Sequence, residues 1–519
     1  MTLLAFLKRL SPFHFDLSHS NPDIAAPIQR GMQYSVWEGA LTGIMAVFTG
    51  GVVLTGFALA LGASDFVIGL IAALQAGANL LQMSSYRAFE KSGKRKERAV
   101  GFAFATRFVW LPIGAVAFLQ VEPLAEYRIY LFLALFALAG ILAVYSTVPW
   151  LSWHVDLVPQ SVRGRFFAQR NLAAGAVGVV LGVLAGRFID LWKAHAVAPE
   201  RYGFAILIFI GTGFGLLAVR FINKMHHPPY TPSSREISFW QSLKAPFRDT
   251  SFRQLFYFRI FNDISLGMAG PFLGVYMLKQ VGLSFTFVSV MAMIATLTNL
   301  FSLKLWGRMI DKFGSKPILY ICLVGKSLFI FLWIFTAAET TWLFVALHLF
   351  GVFDAGNAVA IPNLLFKIAP EKKRANYIAV DGTAVGVAAT ISPLIGGGLA
   401  LLYTNWSLTL GPFHWEHLHF LFATSALFRI ANLGSLRRVH EPAVRARALL
   451  LRVLRPIRSI DVFEGFQQAL HATIIPSAKY FITHVVRRSK RAGNNGEAAR
   501  LGENHERRKQ KPTRESSLT

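Results

Sequence analysis

Long apolar runs recur along this chain at near-regular intervals, and they leave it few folds to choose from. Each is about as long as the roughly 20 apolar residues a helix needs to cross a bilayer core. They fall at 35–61, 64–85, 99–120, 128–156, 165–190 and 203–223, and again at 255–279, 283–306, 317–337, 342–366, 376–403 and 417–437. Hydrocarbon offers backbone amides no water to bond, so such a segment closes its hydrogen bonds on itself as an α-helix. The reading is an all-α polytopic membrane protein with twelve transmembrane helices in two six-helix bundles. Composition agrees: 54% of the 519 residues are hydrophobic and 15% charged, with 45 Phe and 42 Gly. Glycine is the residue that lets membrane helices approach closely.

The net charge of +26 would suit a nucleic-acid binder if it lay on one face. Instead, about twenty Lys and Arg gather in alternate connections, against about five in the others, which is the positive-inside pattern. The basic connections are 87–98, 163–165, 224–253, 308–316 and 367–374. They place both termini in the cytoplasm and argue against a nucleic-acid partner. The expected organisation is an N-terminal interfacial segment (1–33), a first bundle (34–223), a cytoplasmic linker (224–253), a second bundle (254–438) and a basic tail (439–519). From Glu441 onward there are 16 Lys/Arg against 7 acids, a composition suited to anionic lipids of the inner leaflet. The opening "MTLLAFLKRLSPFHF" is too short in its apolar run, and too charged, for a cleaved leader. One cysteine, Cys322, excludes an intrachain disulfide and a thiolate metal cluster.

The chain also repeats itself. A shift of about 221 residues lays "YRAFEKSGKRK" on "GRMIDKFGSKP", matching Arg87 to Arg308, Glu90 to Asp311, Lys91 to Lys312 and Gly93 to Gly314. After a one-residue slip, Gly62 falls on Gly282 and Asn79 on Asn299. "VPQSVRGRFF" aligns with "APEKKRANYI", matching Pro159 to Pro370 and Arg163 to Arg374. Two halves with matched loops mark a duplicated transporter.

These residues resemble the major facilitator superfamily, whose loop G-x-x-x-D-R/K-x-G-R/K-K joins the second and third helices and recurs between the eighth and ninth. The second copy here holds Gly307, Asp311, Lys312, Gly314 and Lys316, with Arg308 beside them. The first has Tyr86 for the leading glycine and Glu90 for the acid. The resemblance covers about 30–440 and implies a secondary active transporter working by alternating access. The loop would be a breakable cytoplasmic gate: Gly307 allowing close approach, Asp311 at the start of a neighbouring helix, where the dipole favours an anion, and the lysines pairing with acids. The competing class is a transport-dead sensor or scaffold that uses its basic tail.

Ionisable residues inside apolar runs are expensive, so each is a functional candidate. The first, fourth, seventh and tenth helices line the cavity in this family. Asp354 lies mid-run in the tenth, with Asn357 three residues on and on the same face. In the seventh, Arg259 and Asp263 are one turn apart and can neutralise each other, with Asn262 beside them. Glu38 in the first run and Arg107 in the third form a further candidate pair. Asp354, Asn357, Asn262, Asp263, Arg107 and Glu38 are therefore the expected substrate or proton site. His154, Asp156, Arg163 and Arg170 crowd the junction of the fourth and fifth runs. Asp156, Arg163 and Arg374 join the expected gate. So do Arg170 and its repeat mate Asp381, facing each other across the pseudo-twofold. The glycines 175, 178, 182 and 186 read as close packing.

Some signals fail. "LVGKS" (323–327) lacks the leading glycine of a phosphate loop and lies in an apolar run. The fourth run has no R-x-x-x-G-x-G, so drug–proton antiport is not the default. No enzyme constellation or cofactor motif is present. The expected partners are a small solute, a proton as coupling ion and the bilayer. The chain is read as a monomer of the cell inner membrane.

Overall fold

The computed structural model describes residues 22–120, 126–195, 198–230, 245–411 and 413–441. The start of the N-terminal segment, residues 231–244 of the linker and the basic tail beyond Glu441 lie outside the described residues. The first half comprises α1 (Pro22–Phe48), α2 (Gly51–Ala60), α3 (Asp65–Ala78), α4 (Gln82–Ser92), α5 (Arg95–Ala115), α6 (Arg128–Leu157), α7 (Arg163–His195) and α8 (Glu200–Lys224). The second comprises α9 (Thr250–Gly267), α10 (Gly270–Val275), α11 (Phe285–Phe313), α12 (Ser315–Leu332), α13 (Thr341–His348), α14 (Gly351–Ile368), α15 (Arg374–Leu402) and α16 (His417–Arg438). A hairpin of β1 (Leu408–Leu410) and β2 (Phe413–Trp415) precedes α16, with Thr409 opposite His414.

Four rods are interrupted: α1–α2, α3–α4, α9–α10 and α13–α14. The described helices thus form twelve rods, of which 10 are long and apolar enough to cross a membrane. The other two are the seventh, α9–α10, and the twelfth, α16. The seventh carries Arg253, Arg259 and Asp263 and breaks at Met268. The twelfth carries Arg429 and ends on Arg437 and Arg438. Helix α1 runs unbroken from Pro22 through the boundary expected at 33. Successive rods run in opposite directions, giving one end rich in Lys and Arg, the basic end, and a far end.

The repeat is visible in the backbone. Gly62 (φ 91°) and Gly282 (φ 74°) both adopt the left-handed conformation that glycine tolerates. Two residues later Ser64 and Ser284 cap α3 and α11, accepting from the amides of Val67 and Phe287. Gly93 (φ 64°) and Gly314 (φ 91°) turn the chain after the second and eighth rods.

The halves meet along two seams, and glycine makes both possible. A Cβ on Gly69 of α3 would lie 2.4 Å from the Pro393 carbonyl oxygen of α15, and one on Gly186 of α7 would lie 2.6 Å from the Phe285 carbonyl oxygen of α11. The expected packing role of the α7 glycines holds at Gly186 alone. Gly178 has only ordinary contact with Val47, and nothing lies within 4 Å of a Cβ on Gly175 or Gly182. Gly69→Ala forces backbone apart and destabilises by about 1–3 kcal/mol, whereas Gly182→Ala stays within about 0.5 kcal/mol. Thermal unfolding in detergent compares the two; equal midpoints would mean that α3 and α15 do not touch.

Candidate functional site

In the first half a polar cluster forms around Glu38, which α1 points toward α5 and α7. Its Oε2 accepts from Arg170 Nη2 at 2.7 Å and its Oε1 from the Thr42 hydroxyl at 2.9 Å. Arg107 Nη2 stands 3.9 Å from Oε1 and donates to Thr42 Oγ1 at 3.2 Å; its Nη1 donates to the Ala103 carbonyl. Gly39 gives Arg170 room, because a Cβ there would lie 2.9 Å from the arginine side chain. The guanidinium of Arg170 lies over the Trp150 ring, 4.6 Å from its centroid. On the other side of Trp150, His154 stacks at 3.8 Å. The His154 ring nitrogens face Ser35 Oγ at 2.9 Å and the Trp150 carbonyl at 2.8 Å.

In the second half Arg259 Nε and Asp263 Oδ2 of α9 are 3.2 Å apart, as one turn of spacing requires. Asn262 Nδ2 donates to Asp263 Oδ1 at 2.9 Å. Asp381 of α15 lies within electrostatic reach of both Arg259 and Asp263. Asp354 is linked to Asp263 through Lys326 of α12, which lies within electrostatic reach of Asp263. The Asp354 carboxylate pairs with Lys326 at 2.5 Å and is half exposed, while Asn357 is buried. Lys326 is the lysine of the failed "LVGKS" match. Arg429 of α16 donates to the carbonyls of Lys326 and Ser265.

At the basic end the expected gate residues keep to their own halves. Asp156 pairs with Arg95 at 2.5 Å, and Arg163 donates to the Val155 and Val158 carbonyls. Arg170 is committed to Glu38 rather than to Asp381. Arg374 opens α15. Tyr230 donates to Glu90, and burial together with that carboxylate pushes its phenol above the usual range. Asp311, Arg308 and Lys312 are exposed, and Lys312 lies over the Phe313 ring. Asp311 therefore does not occupy a helix start here. Glu441 does, accepting from the amides of Ser315 and Lys316 at 2.9 and 2.8 Å and from Lys367 Nζ at 2.8 Å. Lys316 Nζ donates to the carbonyls that end α16, Arg437 and Val439. Gly307 is not a close-packing position, since nothing lies within 4 Å of a Cβ there.

Two sets of polar contacts join the halves at the far end. Asp190, at the end of α7, accepts from the amides of Phe285 and Thr286 at 2.9 and 2.8 Å and from the Thr286 hydroxyl at 2.5 Å. A carboxylate so placed meets unpaired amides and the positive end of the α11 dipole. Asp65, opening α3, faces His417 Nε2 at 3.0 Å and Lys279 Nζ at 3.7 Å. Phe285 also packs edge-on against Phe204 of α8.

None of Asp65, Asp190, Lys279 and His417 is singled out by the sequence reading. Ser64-Asp65 carries the signature of a helix start, and Asp190 marks the end of an apolar run. Their partners are 352 and about a hundred residues away, beyond any local pattern. Among the described residues no group of three or more His, Cys, Asp or Glu could hold a metal ion.

Residues 255–447 match the family model of the Major Facilitator Superfamily. A tetracycline resistance protein, class H, of Pasteurella multocida is 29% identical over 142 residues, 27% of this chain and 34% of that protein. A Na(+), Li(+), K(+)/H(+) antiporter of Planococcus maritimus is 30% identical over 151 residues, 28% of this chain and 34% of that protein. The matched stretch thus spans about a third of the length of these curated relatives. Among solved structures, a D-xylose–proton symporter superposes with a TM-score of 0.59 at 17% identity, covering 79% of this chain and 97% of that one. The nucleoside transporter NupG does so with a TM-score of 0.57 at 12% identity, covering 80% and 98%. At these identities the likeness is one of fold.

Proposed function

We propose that the chain is a multi-pass membrane protein of the major facilitator superfamily and a secondary active transporter of a small solute, held here open to the cytoplasm. The positive-inside rule assigns the basic end to the cytoplasm and both termini with it. In a bacterial cell that places the chain in the inner membrane. The observation that carries the reading is the far-end lock. Asp190 on the α11 start and Asp65 on His417 and Lys279 tie the halves outside, while Asp156, Arg163, Arg170 and Lys316 bond within their own halves.

Closing the cytoplasmic side would bring Arg170 toward Asp381, and Asp311 toward the start of α7. Alternating access then exchanges one set of contacts for the other. Asp263, held by Arg259 and Asn262 on the seventh rod, is the carboxylate placed to carry a coupling proton. A sensor or scaffold has no use for a lock that a rocking motion makes and breaks. The test is reconstitution into liposomes loaded with a pH dye and challenge with sugars, amino acids and organic acids. Solute-driven acidification in the wild type, absent in Asp263→Asn, supports a proton-coupled carrier. Solute entry without a pH change removes the coupling and keeps the carrier. No solute entry, together with one fixed pattern of cysteine accessibility under every solute, overturns transport.

A further inference from the structure

The Glu38 cluster contains two guanidinium groups and one carboxylate. Glu38 is 3% exposed and Arg107 8%, so one positive charge is left over in a largely dehydrated place, where an uncompensated charge is costly. Both carboxylate oxygens are already used, by Arg170 on one side and by Thr42 and Arg107 on the other. His154 supplies no acceptor, because both its ring nitrogens are engaged. Three donors in the same cluster, Arg107 Nε, Arg170 Nε and Trp150 Nε1, are buried without a hydrogen-bond partner among the described residues. The second half has no such surplus: Arg259, Lys326 and Arg429 stand against Asp263, Asp354 and Asp381.

A cluster with spare donors and one positive charge in excess lacks one thing, an anion. Resting on the transporter reading above, we infer that the substrate is an organic monoanion whose carboxylate binds at Arg170 and Trp150, beside Glu38. A carboxylate brings one negative charge and only acceptors, which neutralises the cluster. A phosphate monoester at −1.5 to −2 overshoots. Arg107, packed behind Glu38 and against Thr42, positions the carboxylate that keeps Arg170 in place.

The test uses purified full-length protein and the probes benzoate, benzamide, phenyl phosphate and benzylammonium at constant ionic strength, read as thermal stabilisation. Benzoate is expected to stabilise the wild type and its uncharged isostere benzamide not to. Arg170→Gln should weaken benzoate by about tenfold or more, the worth of a charge-assisted hydrogen bond. Glu38→Gln should bind it more tightly, because the competing charge is gone. Arg170→Lys keeps the charge, loses the planar stack and should lie between, which covers poor folding of the glutamine variant. Equal stabilisation by benzamide, a preference for benzylammonium or phenyl phosphate, no response to benzoate at tens of millimolar, or unchanged affinity in both Arg170 variants would each overturn the assignment. Solute-driven pH changes in liposomes read the transporter separately, so either reading can fail without the other.

Discussion

Replacing Asp190 with alanine should open the far end of the molecule. Its carboxylate accepts two amide hydrogens and one hydroxyl hydrogen from Phe285 and Thr286, all across the seam between halves. Hydrogen bonds to a charged group contribute about 1.5–3 kcal/mol each where they are well made, and water reclaims part of that when the seam opens. A net loss of about 2 kcal/mol moves the equilibrium between states about thirtyfold. Ser289 is a suitable reporter: it is 7% exposed and faces Gly186 in the same seam. The native thiol of Cys322 is fully buried, and Cys322→Ser leaves Ser289→Cys as the single target. An impermeant maleimide added outside should label that cysteine at least tenfold faster when Asp190 is alanine, the greater part of that shift. Asp190→Asn keeps an acceptor and should fall between. Equal rates in all three backgrounds would mean that the seam is not what closes this side.

Glu38→Ala should be the most destabilising single change in the first half. It strips the carboxylate from two guanidiniums that α5 and α7 hold in place, and breaking a buried ion pair from one side costs about 3–5 kcal/mol. The double variant Glu38→Ala, Arg170→Gln removes one of the stranded charges and should be less damaged than the single. Thermal unfolding of the four members of that cycle measures the coupling directly. A single variant as stable as the wild type would show that Arg107 and Arg170 reach water and do not depend on Glu38. Addition of benzoate should recover part of the lost stability, since it returns a carboxylate to the same donors.

How far the sequence could be read depends on which forces act locally. Apolar length alone locates the rods, because hydrocarbon leaves no alternative to helix. The duplicated glycines could be matched by eye because a left-handed turn admits almost nothing else, and Gly62/Gly282 and Gly93/Gly314 turn in both halves. One-turn spacing gives Arg259–Asp263 for the same reason. What fails is everything set by rotation and tilt between rods. Asp354 was legible as an expensive residue but not as the partner of Lys326 on the neighbouring rod. Gly307 and Gly69 look alike in sequence, yet only Gly69 meets a backbone. Asp311 was read as the acid at a neighbouring helix start, whereas the acid found on a helix start at this end is Glu441, on α12 and from beyond the last rod. The α11 start needed Asp190, which no nearby residue announces. Local sequence shows that a charge must be answered; the answer comes from whichever rod the packing turns toward it.

The unequal count of charges around Glu38 reaches beyond binding. An empty cluster with two guanidiniums and one carboxylate exposes a positive charge first to one side of the membrane and then to the other, while an occupied one exposes none. A charge that crosses the full membrane potential changes in energy by about 2.3 kcal/mol per 100 mV. The electric field therefore acts on the return of the unloaded carrier and leaves the loaded crossing almost untouched. With the interior negative, that field favours the empty site facing inward, the orientation held by the Asp190 and Asp65 contacts.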